Sequence, residues 1–441
     1  MIERRGGNQR RMDMPEITKA IRCDGKRQFE FVKQFDYIRE SGTEGEHKAA
    51  EKLLEEFGEI KGTISRLEPF IFEDMASAET VFEITSPYQK TYTAKGYLRS
   101  GSTSKEGTTA PFVYLENGDP VSLKRAEGAV VMVNGPVGAA LYEALTKAGA
   151  LGFLSISGTP LDEGEDRLPR QYRISRECGG KLPGACIHYL DACEIVEAGA
   201  DKCHLKVVQK PCVRHSGNVI ARIEGTDPER KHQVVTVSAH YDSVPEGPGA
   251  YDNMAGCAMV VEACRFFAEN PPKRTMEFIL FGSEEKGLVG SQAYAAAHAE
   301  KITDHVFNLN VDLAGQLLGG NVLGVTADAS VCEEIAKRLE EAEVPAVIKN
   351  EVWASDSNTF AWKGVPALTV NRDGFGMHTH YDTWQLISPW TLERGAKILC
   401  VLGTWLGNAE DFAFRREIPE EMQKKLNSYY EKQGALFQQA P

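Results

Sequence analysis

The chain has 441 residues, 42% of them apolar and 26% charged, with 41 glycines and 20 prolines. These proportions fit a globular protein and exclude a fibre, a disordered polymer or a small disulfide-stapled scaffold. Fifty basic against 63 acidic side chains give a net charge of −13, which excludes a phosphate-backbone binder with the usual basic field and is easier to match with neutral or cationic partners.

In chain order, Phe31, Val32, Phe35 and Ile38 recur at three- and four-residue steps and predict a helix over 29–38. Thr43 and Glu46 have capping-box spacing. Ala49, Ala50, Leu53, Leu54 and Phe57 then supply an apolar stripe, so 44–58 reads as a second helix. Between about 98 and 211 the chain is punctuated by Gly and Pro, with a strand over 128–134, a small-residue helix over 138–148 and a strand over 152–156. That unit reads as a separate small domain. From 218 onward strands alternate with helices in the manner of a mostly parallel sheet. The strands fall over 234–238, 276–281, 306–311 and 366–370, and the helices over 254–267, 330–341 and 391–405. The first of these helices is apolar nearly all round and therefore buried. After 412 the chain is charged and amphipathic, a final helix or a frayed end.

No stretch reaches the roughly 18 uninterrupted apolar residues of a membrane span. The most apolar region, 128–156, contains Glu143 and Lys147. Residues 1–14 are basic but lack the apolar core of a secretory signal, so a cytoplasmic location is expected. The ten cysteines form no Cys-x-x-Cys pair and read as buried or free thiols. Cys178, Cys186, Cys193, Cys203 and Cys212 are the densest group, with a disulfide or structural metal there as the alternative.

The chemistry lies in where the His, Asp and Glu residues fall. His240 and Asp242 end one predicted strand, Glu284 and Glu285 follow the next, and Asp312 ends a third. Open α/β sheets place their ligand crevice at such carboxyl ends. Asp252 opens the buried helix, and His378 and His380 share the loop 377–383. Singly, Asp252 could cap its helix, and His240 and the two glutamates could be solvated loop residues. Asp312, with apolar neighbours on both sides, resists that explanation because a buried carboxylate needs a partner. Jointly, two imidazoles and three carboxylates make a ligand set that zinc accepts. Five ligands are one more than a tetrahedral ion uses, so a bridged pair of ions is the simplest arrangement. Asp242 is placed to orient the His240 ring. Of the adjacent glutamates one can bind metal while the other serves as general base, and Glu284 is taken as the base.

These residues sit in motifs that resemble the co-catalytic dizinc exopeptidases, a family including bacterial leucyl aminopeptidases and the glutamate carboxypeptidases. The motifs are Ala-His-Tyr-Asp-Ser over 239–243, Pro-Gly-Ala-Tyr-Asp-Asn-Met-Ala-Gly over 248–256, Phe-Gly-Ser-Glu-Glu-Lys-Gly over 281–287, Asn-Val-Asp over 310–312 and His-Thr-His-Tyr-Asp-Thr over 378–383. The resemblance implies one zinc ion held by His240 and Asp312, another by Glu285 and His378, and Asp252 bridging the two. It gives His378 rather than His380 as the ligand, because the family pattern begins at His378. It also implies an α/β fold with a mixed, mostly parallel central sheet flanked by helices. The catalytic domain would comprise 15–97 and 212–415, split by a protease-associated-like insert over 98–211 and followed by a helical tail over 416–441. Tyr251 and the run Ser-Asp-Ser-Asn over 355–358 depart from the family pattern without removing a ligand.

The expected activity is that of an aminopeptidase acting on peptides, with no nucleic-acid or membrane partner and with a homo-oligomer left open. A dipeptidase or carboxypeptidase of the same family stands beside it, and Arg372, six residues before His378, is either a binder of a substrate carboxylate or a structural arginine. A single-zinc aminoacyltransferase like the glutaminyl cyclases and a receptor-like binding protein are disfavoured by the complete ligand set. The sequence assigns no substrate-binding residue.

Overall fold

The computed structural model describes residues 20–433 and 437–439. The first residues of the expected catalytic domain, 15–19, and part of the tail therefore lie outside the described residues. The chain forms two compact units, one holding the chain up to Ile71 and His215–Ser428, the other Phe72–Arg214 and the end of the last helix from Tyr429. Both passages fall inside long strands, Ile64–Ser86 and Lys202–Ile223. The second unit thus starts well before the change of texture near residue 98, because an alternating, polar-rich strand carries no boundary signal.

The first unit is a mixed sheet. Four neighbouring strands are parallel, in the order Ala367–Arg372, His305–Val311, Val234–His240 and Thr275–Phe281. Antiparallel neighbours close the row, Asn321–Thr326 beside the first and residues 219–223 beside the last. Three of the parallel strands are buried along their whole length, as expected where both faces are covered. Helix Ala255–Glu269 is buried on nearly every side and packs against the long helix Pro389–Asn408. Gly403 permits that close approach, since a Cβ there would lie 2.7 Å from Phe267 Cζ.

Two elements differ from expectation. The first helix spans Gly25–Lys33 rather than 29–38, because Asp24 caps it by accepting from the Arg27 N–H. Phe31, Val32 and Phe35 are buried, but Ile38 is 47% exposed. The second helix is Glu44–Gly58, yet the capping box does not close: Thr43 makes no side-chain cap, and Glu46 reaches Gly42 N instead. The chain after 412 does form a helix, Glu420–Gln433.

The second unit has its own sheet, with parallel strands Thr108–Tyr114, Val130–Val133, Gly152–Ser157 and Gly184–His188. Its strands feed two cores by alternation: Val130, Met132 and Leu154 enter one, while Val131, Val133 and Phe153 enter the other. No helix among the described residues is long and apolar enough to cross a membrane.

Candidate metal centre

The carboxyl ends of the four parallel strands deliver the site. His240 is the last residue of its strand, Asp312 directly follows Val311, Glu284 and Glu285 begin a short turn after Phe281, and His378 lies in the loop after Arg372. Asp252 arrives from the irregular turn Ala250–Met254, ahead of helix Ala255–Glu269, with φ −120° and ψ 83°, so it does not cap that helix in the ordinary way. Gly249 makes the reversal before it in the left-handed region, φ 60°, where a Cβ would meet Asp252 O at 2.3 Å. Two buried side chains fix this turn. Arg39 donates to Tyr241 O at 2.7 Å and Gly249 O at 3.0 Å, and Asp382 accepts from Tyr251 N at 2.6 Å and Asp252 N at 3.0 Å.

The result is two triads sharing one carboxylate. His240 Nε2 lies 3.1 Å from Asp252 Oδ1 and 3.4 Å from Asp312 Oδ1. His378 Nε2 lies 3.1 Å from Asp252 Oδ2 and 3.1 Å from Glu285 Oε1. Each triad brings its ligand atoms within 4.8 Å of one another. Although His378 is so near, Glu285 Oε1 has no hydrogen-bond partner. A cation between the two atoms would satisfy both.

Charge tells the same story. Burial acts to lower the His240 pKa, but Glu284 and Asp312 together with Asp242 and Asp252 lift it well above the ordinary imidazole value. His378 is likewise pulled down by burial and pushed up to about 11 by Asp252 and Glu285. Burial tends to raise Asp252, yet the two histidines hold it well below the carboxylate range. The carboxylates call for positive charge among them, which a cation would supply. Glu284 is pushed well up by burial, then by Asp312, Glu285 and Asp356, against the pull of His240.

Asp242 mainly supports the glutamate turn. Its Oδ1 accepts from Glu284 N at 2.9 Å, and its Oδ2 accepts from Glu285 N at 3.1 Å and from Ser41 Oγ at 2.8 Å. The approach of Oδ1 to His240 Nδ1 is longer, 3.5 Å. Sequence reasoning missed Ser355, which donates to Asp312 Oδ2 at 2.6 Å and accepts from Asn310 Nδ2 at 2.7 Å. It also gave no role to Arg39 or to Asp382, although Asp382 stands in a quoted motif, and it read Glu46 only as the partner of Thr43 in a capping box.

Several candidates stay out of the site. His380 sets its ring against Tyr381, 3.9 Å between centroids and tilted by 46°, and belongs to neither triad. Arg372 is structural: it donates to Gln316 O, Asn321 Oδ1 and Leu317 O. Tyr251 is buried and donates its hydroxyl to Arg372 O at 2.5 Å, so it points into the core. All ten cysteines are free, and among the described residues the Cys178 to Cys212 stretch forms no metal-ligand group.

Imidazoles and carboxylates gathered at the carboxyl edge of a mostly parallel α/β sheet can hold metal ions for hydrolytic chemistry. Residues 218–402 match the model of peptidase family M28. Carboxypeptidase Q from Bos taurus is 27% identical over 349 residues, covering 72% of this chain and 71% of that protein. Aminopeptidase YwaD from Bacillus subtilis (strain 168) is 42% identical over 153 residues, 34% of this chain and 30% of that protein. The crystal structure of a zinc aminopeptidase from Bacillus subtilis superposes with a TM-score of 0.73 at 21% identity, covering 90% of this chain and 98% of that one, and shares the fold.

Proposed function

We propose that the chain is a zinc-dependent exopeptidase acting on peptides, and specifically an aminopeptidase. The observation that carries the metal is the pair of triads meeting on the two oxygens of Asp252. His240 and Asp312 would hold one ion, Glu285 and His378 the other, with Asp252 between them. Bound there, the ions would supply Lewis-acid polarisation of the scissile carbonyl and of the attacking water. Glu284, held in its turn by Asp242, takes the proton from that water and returns it to the departing amine.

The preference for a free amino terminus rests on charge. Three cations near the ligands in sequence or in space are engaged: Arg39 with backbone carbonyls, Lys286 with Glu40 at 2.9 Å, and Arg372 as described above. A carboxylate-rich site with its cations so engaged favours an ammonium group on the substrate over a carboxylate. The wide match to carboxypeptidase Q supports carboxypeptidase action as the second reading. Hydrolysis of aminoacyl, N-blocked and C-terminally amidated peptides by the zinc-loaded protein separates the two. Cleavage that requires the free amine and tolerates amidation is expected; cleavage that persists on N-blocked peptides and needs the free carboxylate would overturn the aminopeptidase reading.

A further inference from the structure

Glu46 is completely buried at the start of helix Glu44–Gly58, far in sequence from every ligand. Its Oε2 accepts from Gly42 N at 2.6 Å, which belongs to the helix start. Its Oε1 does something a cap does not require: it accepts from Ser216 Oγ at 2.8 Å, Ser283 N at 2.9 Å and Ser283 Oγ at 3.1 Å. A glutamate that only caps a helix can stand in solvent, where its acceptors cost nothing. Here the carboxylate is buried close to a second acid, Asp242, and burial with that neighbour pushes it up to about 8 against its donors. So costly a placement points to a task at the far end of the contact.

That end is the glutamate turn. Ser283 sits in the left-handed region with φ 58°, which an L side chain enters only when its surroundings compel it. The approach is tight, since a Cβ on Gly282 would meet Ser216 Oγ at 2.4 Å. Three successive N–H groups, of Ser283, Glu284 and Glu285, are accepted by two buried carboxylates; Glu46 takes the first and Asp242 the other two. The torsions at Ser283 aim everything that follows.

We propose that Glu46 is a positioning residue that locks the Ser283 turn and thereby aims Glu284, an inference that rests on reading Glu284 as the base. The two oxygens allow the helix task to be separated from the turn task. Glu46→Gln can keep a carbonyl oxygen toward Ser216 and Ser283 while its amide faces the Gly42 N–H and loses that contact; Glu46→Ala loses both sides.

The test compares the two variants in the zinc-loaded protein, reading kcat, KM, zinc content and amide hydrogen exchange at 283–285. Glu46→Ala is expected to lower kcat at least tenfold, within the ~10²-fold that a 1 Å misplacement costs, with KM within twofold and zinc retained. Exchange at 283–285 rises in Glu46→Ala, whereas Glu46→Gln stays within threefold of wild type in kcat and protects the turn. Equal losses in both variants, or none in Glu46→Ala, would overturn the proposal. Should Glu46→Ala not fold, Ser283→Gly removes the hydroxyl contact and frees the turn; a threefold or larger fall in kcat is expected, and an unchanged kcat overturns it. An inert wild type would count against the peptidase reading, and hydrogen exchange would still decide the role of Glu46.

Discussion

At the carboxyl edge of the central sheet His240 faces Asp252 and Asp312, while in the amino-terminal half of the same strands His305 faces Glu277 through Tyr294. Both regions bury a histidine among acids, but they satisfy it differently. His305 Nδ1 shares a hydrogen with Thr236 Oγ1 at 2.6 Å, Tyr294 Oη lies 3.3 Å from its Nε2, and Glu277 accepts from Tyr294 and from Arg222 at 3.1 Å. Burial therefore prevails and drops the His305 pKa to about 4, although Glu277 opposes it. At the other end the carboxylates prevail, the histidines are lifted, and Glu285 Oε1 has no hydrogen-bond partner. The same residue types thus make a closed structural network in one place and a cation-ready cluster in the other. What separates them is whether the polar atoms are satisfied by one another.

Asp252→Ala should break the metal end most severely. Both zinc equivalents are expected to be lost, and activity to fall by more than the ~10³-fold that removing one preorganised oxyanion donor costs. Metal analysis of the purified variant checks this, and retention of one full equivalent would contradict the shared carboxylate. Glu284→Gln should separate chemistry from binding. Both metals stay and kcat falls about 10²- to 10⁴-fold, the usual contribution of a general base; a kcat near wild type would remove Glu284 from that role.

His305→Gln sharpens the contrast from the structural side, and its effect is the smallest. The folded-state pKa of about 4 lies below the 6.5 of an exposed imidazole. Stability from neutral His305 is therefore fully present above pH 6.5 and is lost as the pH falls toward 4, by up to about 3 kcal/mol. The variant should show a shallower loss of stability between pH 6.5 and 4 in denaturant titrations, with zinc content unchanged. An unaltered slope would mean that His305 does not titrate as a buried neutral group.

Much of the cluster at the carboxyl edge was legible because side chains that can hold a metal are restricted in type and lie where strands end. His240, Asp312, Glu284 and Glu285 could be placed from the periodicity of their strands, and Asp252 and His378 from their motifs. The supporting residues could not. Ser355 and Arg39 act through contacts between segments distant in the chain, and no local pattern encodes such a contact. Glu46 carried a local signal that pointed elsewhere: its capping-box spacing is real, but the carboxylate serves Gly42 and Ser283 instead of closing on Thr43. Sequence proximity left Arg372 open as a binder of a substrate carboxylate or a structural arginine, and the structure spends it on the loop 316–321; Tyr251, a departure from the family pattern, is turned inward. The long strands Ile64–Ser86 and Lys202–Ile223 escaped notice because their exposed stretches alternate with buried ones and mask a single element.

The central claim is that Asp252 stands between two cations, and anomalous diffraction from crystals of the zinc-loaded protein, collected at the zinc absorption edge, tests it most directly. The account predicts two peaks, one enclosed by His240, Asp252 and Asp312 and the other by Asp252, Glu285 and His378. A single peak, or peaks away from the Asp252 carboxylate, would contradict it.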